Sequence, residues 1–286
     1  MMIVSRRKFL STSGVFCGAL ALPGYSARCG PLSGRIRLAV KYHMIQEPDL
    51  TLAEKFLMLR GVGFDGVELK VDEKVDHSEL DAAVKSTGFP VHGIVNASHE
   101  DIRPAVELAK RLGSDSVLVL ARHFPDQSYD ENVARWQRNV KAALPLAEEH
   151  GVKLCIENVK ATFLKTAEQM IAFIDSFESS VVRSYFDLGN TISWTEQPAE
   201  HWAAVLGKQV YKLDIKDRGH AEFGEPKLMR EGVIGTNGGE VHWERVRKIL
   251  EQNKFSGWAT AEVAGGDRER LRRMALWMRD VLDLDA

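Results

Sequence analysis

The sequence predicts one α/β domain, a (β/α)8 TIM barrel over residues 35–284, behind a leader over residues 1–30. Three observations carry the barrel. Apolar, β-branched runs alternate eight times with longer stretches of helical period. Eight such pairs in about 250 residues match the size of that fold. Glycine closes several of the helical stretches, at Leu59-Arg60-Gly61, Arg111-Leu112-Gly113 and Glu149-His150-Gly151. A left-handed residue there satisfies the last helical carbonyls.

In chain order, a strand over 36–42 feeds a helix over 52–60, and a strand over 66–69 feeds a helix over 78–86. Strands over 91–95 and 116–120 lead into helices over 103–112 and 131–150. The second half repeats the alternation, with strands over 153–157, 181–187, 210–215 and 258–263 and helices over 166–177, 199–206, 243–252 and 267–284. A doubly wound open sheet is the alternative. It calls for a glycine-rich phosphate fingerprint after the first strand, where this chain has Lys41-Tyr42-His43-Met44. No proline- or serine-rich linker divides the body, which favours one domain.

Composition narrows the classes. With 286 residues, 44% hydrophobic and 27% charged, the chain can bury a real core, which excludes a disordered or collagen-like polypeptide. The first thirty residues hold Arg6, Arg7, Lys8 and Arg28 and no acid. Without those four, 34 basic residues face 40 acidic ones, a net of −6. A body of that sign offers no electrostatic footprint for nucleic acid. Cys17 and Cys29 fall in the leader, and Cys155 sits in an apolar strand. The body is therefore expected to hold no disulfide.

The leader couples a basic head to a short apolar run, Val15 to Leu22, ending at Pro23-Gly24. That is a secretory pattern, too short for a stable membrane span. Ser5-Arg6-Arg7-Lys8-Phe9-Leu10 looks like a twin-arginine signal, so the expected route is the Tat translocase and the expected destination the periplasm. Between Asp217 and Glu240 lie six glycines, at 219, 224, 232, 235, 238 and 239. Following the seventh strand, such a loop would suit a lid over a site, or a plain insertion.

The chemistry gathers at strand ends. The fifth strand ends in Glu157-Asn158, the sixth in Asp187-Leu188-Gly189-Asn190, the seventh contains Asp214-Ile215-Lys216-Asp217, and the eighth ends in Glu262-Val263. Each acid follows a run that should be buried. One buried carboxylate costs several kcal/mol unless compensated. Four at one mouth repel one another, and a divalent cation removes that conflict. An all-oxygen donor set favours Mn2+ or Mg2+ over Zn2+.

These segments, with Gly63-Phe64-Asp65-Gly66-Val67-Glu68-Leu69 and Gly238-Gly239-Glu240-Val241-His242-Trp243, resemble the xylose isomerase-like barrels, the sugar (phosphate) isomerase/epimerase group. The resemblance implies one divalent metal held by Glu157, Asp187, Asp214 and Glu262. It implies chemistry on a ketose through a metal-stabilised enediolate, with Glu157 and Glu262 as the acid/base pair. Two positions depart from the family: Asp214 and Asn190 each stand where it often has histidine. The first hardens the site toward oxygen-loving metals.

Further candidates surround the acids. Glu68, His92, Asn158, Asn190 and Lys216 are the candidates to touch substrate, Lys216 as a charge for an enolate or phosphate; a salt bridge for Glu68, a structural role for His92 and a surface position for Lys216 are the plain alternatives. His99, His242, Trp194 and Arg218 fit substrate contacts or plain structural roles. A sugar or polyol dehydratase of the same barrel is a second reading. A phosphodiester hydrolase like the AP endonucleases is a third, disfavoured because none of the nine histidines ends strands five to eight. A non-catalytic sugar-binding barrel is a fourth, with Asp214 marking a decayed site. The partner expected is a small sugar, and the sequence leaves a homo-oligomer open.

Overall fold

Eight short β-branched strands hydrogen-bond in sequence order, and the last pairs with the first. The computed structural model describes residues 30–217 and 239–285. The leader expected over 1–30 (bar Gly30), Arg218 and the interior of the glycine-rich loop lie outside the described residues. The strands are β1 Ile36–Lys41, β2 Gly66–Lys70, β3 Val91–Ala97, β4 Ser116–Val119, β5 Lys153–Glu157, β6 Val182–Asp187, β7 Val210–Ile215 and β8 Gly257–Ala261. All neighbours are parallel, and β1–β8 pairing closes the barrel. The expected (β/α)8 fold is the fold observed.

Around the barrel run α1 Leu52–Val62, α2 His77–Thr87, α3 Arg103–Leu112, α4 Tyr129–His150, α5 Ala167–Asp175, α6 Leu188–Trp194, α7 Ala199–Leu206, α8 Trp243–Gln252 and α9 Arg268–Leu282. Capping boxes start α1 (Thr51, Glu54), α4 (Ser128, Glu131) and α5 (Thr166, Gln169), each satisfying two otherwise orphaned amides. The first helix overruns its expected stop. Gly61 lies inside α1, and the left-handed cap is Gly63, at φ 107°. Helix α6 was not expected from the sequence. After Leu188, its residues Gly-Asn-Thr-Ile-Ser-Trp are middling to poor helix formers. It forms because the Asp187 carboxylate caps it, accepting the Asn190 amide at 2.9 Å, and because residues 188–191 are buried.

The main core lies between barrel and helices, with Phe56, Trp136, Met170, Trp202 and Met274 inaccessible to solvent. The barrel interior is unusually polar, holding Glu68, His92, Tyr185, Lys212 and Thr260. Gly93 makes room for it, since a Cβ there would stand 2.8 Å from Glu68 Oε1 and 3.0 Å from Lys212 Nζ.

Gly189 marks a second close approach. A Cβ there would collide with Lys216 Cγ and stand 2.8 Å from the Lys216 carbonyl oxygen. We expect Gly189→Ala to destabilise the protein by about 1–3 kcal/mol through overpacking. Gly61→Ala, with nothing within 4 Å of the new methyl, should stabilise by about 0.5–1 kcal/mol as an ordinary helical glycine replacement. Urea unfolding of the two variants checks the contrast.

Candidate active site

The four strand-end acids meet. Glu157 closes β5, Asp187 closes β6, Asp214 sits one residue before the end of β7, and Glu262 follows β8 directly. In-register pairing of β6 with β7 sets Asp187 beside Asp214. One carboxylate oxygen from each of the four lies within 4.8 Å of the others. Glu157, Asp187 and Asp214 are buried, and the Glu262 side chain is 30% exposed.

Two lysines enter the same cluster. Lys41, the last residue of β1, places Nζ 3.0 Å from Asp214 Oδ2 and 2.5 Å from Glu262 Oε1. Lys216 places Nζ 2.6 Å from Asp187 Oδ2 and donates to Glu262 Oε2. The sequence reading of Lys216 as a residue at the mouth matches this position, but Lys41 was missed. Its signal was the same as that of the acids: a charge at the end of a buried strand run.

Asparagines brace the cluster. Asn190 Nδ2 donates to Asp187 Oδ2 at 2.7 Å and reaches Glu157 Oε1 at 3.4 Å. Asn158 uses both ends of its amide on the Asp187 backbone, donating to the carbonyl and accepting from the N–H, each at 2.8 Å. It therefore fixes where β6 ends. Glu68 lies one strand from Lys41, in register with it, and accepts from the Tyr185 hydroxyl at 3.1 Å.

His92 points elsewhere. It sits near the start of β3, stacked on Trp258 with ring centroids 4.4 Å apart. Lys212 Nζ donates to its Nδ1 at 2.8 Å and to its carbonyl at 2.7 Å. Burial, reinforced by Lys212, holds the imidazole well below its usual pKa and so neutral. With Nδ1 accepting, Nε2–H is left to donate to Thr260 Oγ1 at 3.2 Å. Thr260 and Tyr185 hydroxyls meet at 2.8 Å. The chain Lys212–His92–Thr260–Tyr185–Glu68 is thus a buried prop below the acids. Outside the cluster, His99 faces Asp72 at 3.7 Å, His242 faces Glu200 at 3.2 Å, and Trp194 packs edge-on to Trp202. Cys155 is buried with a free thiol.

The two glutamates differ electrostatically. Burial, with the charge of Glu262 nearby, pushes the Glu157 carboxyl up to about 7. Burial opposes ionisation of Glu262 as well, but Lys41 and Lys216 outweigh it and hold that carboxyl well below the usual range. Burial drives Asp187 and Asp214 upward against the pull of Lys216 and Lys41. Asp214 Oδ1 is buried without a hydrogen-bond partner. An orphaned oxygen among four converging carboxylates is what an oxygen-binding divalent ion would satisfy, so the donor set fits such an ion.

Similarity to known proteins agrees with this geometry. The family described as xylose isomerase-like TIM barrel matches residues 56–281. L-ribulose-5-phosphate 3-epimerase UlaE of Salmonella typhi is 23% identical over 234 residues, 71% of this chain and 79% of that protein. The structure of 3-keto-D-glucoside 4-epimerase YcjR from E. coli superimposes with a TM-score of 0.68 at 16% identity, over 86% of this chain and 99% of that one. The IOLI protein with a bound zinc atom gives 0.69 at 14% identity, over 87% and 99%. At such identities the structural likeness speaks for the fold.

Glu157 makes stability of the metal-free protein depend on pH. A folded-state pKa raised from the ordinary glutamate value to about 7 favours folding below about pH 4.5 and loses that contribution as pH rises through 7. Asp187 and Asp214, also raised, add in the same direction. Melting temperature without divalent ions should therefore fall between pH 5 and 7.5. Glu157→Gln should remove about 2 kcal/mol of the loss in unfolding free energy over that window and so flatten the fall in melting temperature. An unchanged slope in Glu157→Gln would contradict this assignment.

Proposed function

The chain belongs to the xylose isomerase-like TIM barrel family, and on that premise we propose that it is a divalent-metal-dependent isomerase or epimerase acting on a ketose sugar or sugar phosphate. The observation that carries this reading is the convergence of Glu157, Asp187, Asp214 and Glu262, together with the buried, unpartnered Oδ1 of Asp214. The all-oxygen donor set favours Mn2+ or Mg2+ over Zn2+. The sugar epimerases among the relatives support the substrate class.

A divalent ion held by those four acids would act as a Lewis acid on adjacent carbonyl and hydroxyl oxygens of the sugar. The remaining work falls to side chains. Glu157 and Glu262 come from strands three apart in the ring, so they approach the mouth from different directions. Glu157 and Glu262 form the acid/base pair: one carboxylate takes a proton from the carbon beside the carbonyl, and the other returns one. Lys216 Nζ stands against Asp187 and Glu262, where its charge offsets the negative charge developing on a substrate oxygen. Return to the same carbon from the opposite face is epimerisation, and delivery to the neighbouring carbon is isomerisation.

Proton exchange tests the reading. Incubated with Mn2+ and a panel of ketoses in D2O, the protein should place deuterium on the carbon beside the carbonyl. Glu157→Gln should slow that exchange by about 10²–10⁴-fold, the usual worth of a positioned acid or base. Absence of deuterium across the panel, with the ion bound, would overturn the proposal.

A further inference from the structure

Both carboxylate oxygens of Glu262 already meet a cation of this chain. Lys41 Nζ lies on Oε1 and Lys216 Nζ on Oε2. Each lysine also reaches one aspartate, Lys41 to Asp214 Oδ2 at 3.0 Å and Lys216 to Asp187 Oδ2 at 2.6 Å. The result is a string of ion pairs, Asp214–Lys41–Glu262–Lys216–Asp187, in which each ammonium bridges two of the converging carboxylates. Lys41 is 4% exposed and the Lys216 side chain 19%. These ammoniums are therefore internal parts of the site and not surface charges leaning over it.

When all four carboxylates are ionised, as metal ligands must be, the two ammoniums leave two of their negative charges unmatched, the charge of one divalent ion. Where the strand-seven position is a neutral histidine, the same mouth carries one acid fewer. Asp214 adds a negative charge, and Lys41 stands against it. Hydrogen-bonding capacity for a further cation remains on two of the acids: Asp214 Oδ1 is buried without a partner, and Glu157 meets only the long Asn190 contact among the hydrogen bonds described for its side chain.

We infer that Lys41 and Lys216 are built-in counter-cations that occupy the carboxylate cluster in the metal-free protein, so that a divalent ion must draw Glu262 away from them to complete its ligand set. This inference rests on the metal-dependent reading above and adds a function to two lysines. They keep the cluster assembled without metal, and they weaken metal binding by competing for Glu262 and repelling the incoming charge. Lys41 is in this sense a positioning residue for the ligands Asp214 and Glu262. The site gains a metal-free form that does not fly apart, at the cost of affinity.

The test measures Mn2+ binding, independent of turnover. Full-length protein, stripped of divalent ions, is titrated with Mn2+ at pH 7.5, and free Mn2+ is followed by electron paramagnetic resonance. Wild type, Lys41→Met, Lys41→Arg and Lys216→Met are compared, with thermal melts of the stripped proteins alongside. We expect Lys41→Met and Lys216→Met to bind Mn2+ at least tenfold more tightly than wild type and to melt lower when stripped. Lys41→Arg, which keeps the charge, should stay close to wild type in both. Should Lys41→Met not fold, Lys216→Met, whose side chain is partly exposed, carries the comparison. Wild-type Mn2+ binding with no tightening in either methionine variant overturns the competition and leaves the metal-dependent reading standing. Binding by the variants but not by wild type supports the competition and overturns that reading for the native chain. No binding by any of the four overturns both.

Discussion

Four carboxylates share one rim of this barrel, and three of them are buried. Removing a single carboxylate from water without compensation costs several kcal/mol, and their mutual repulsion adds to it. The surrounding structure can be read as the means of holding that charge in place. Lys41 and Lys216 alternate with Asp214, Glu262 and Asp187. Asn190 spans Asp187 and Glu157. Helix α6 turns its first amides toward the Asp187 carboxylate, where the positive end of the helix favours a negative group. Little of this would be needed if the acids were not required together.

The barrel interior beneath the rim serves the same constraint. Lys212 is fully buried, yet it has two acceptors on His92 and an ion pair with Asp115 at 2.6 Å. The hydrogen-bonded sequence through His92, Thr260 and Tyr185 ends on Glu68, whose Oε2 remains buried and unpartnered. Five strands contribute to that prop. Buried polar networks of this kind rigidify what they touch, and this one lies under Lys41 and the acids. Apolar filling of the barrel would leave the rim free to relax away from its charges.

Much of this was legible in the chain. The strand-to-helix alternation predicted the barrel, and acids at four successive strand ends predicted the cluster, because in a closed parallel barrel every strand end faces the same mouth. The less legible parts depend on contacts across the ring. Lys41 belongs to the cluster only because β1 closes on β8, a pairing that spans most of the chain. His92 and Asn158 read as substrate contacts in one dimension. In three, His92 props the interior from near the start of β3, and Asn158 clamps the Asp187 backbone from just past the end of β5. Helix α6 was invisible to propensity, because a cap and burial override its composition.

The central claim is that Glu157, Asp187, Asp214 and Glu262 enclose one divalent ion. Crystals grown with Mn2+, measured at the manganese absorption edge, test it most directly. The account predicts a single anomalous peak within about 2.0–2.6 Å of an oxygen from each of the four, the range for hard divalent cations on oxygen. A peak bound elsewhere, or saturating Mn2+ with Lys41 and Lys216 still bridging Glu262 and no ion between the acids, would contradict it.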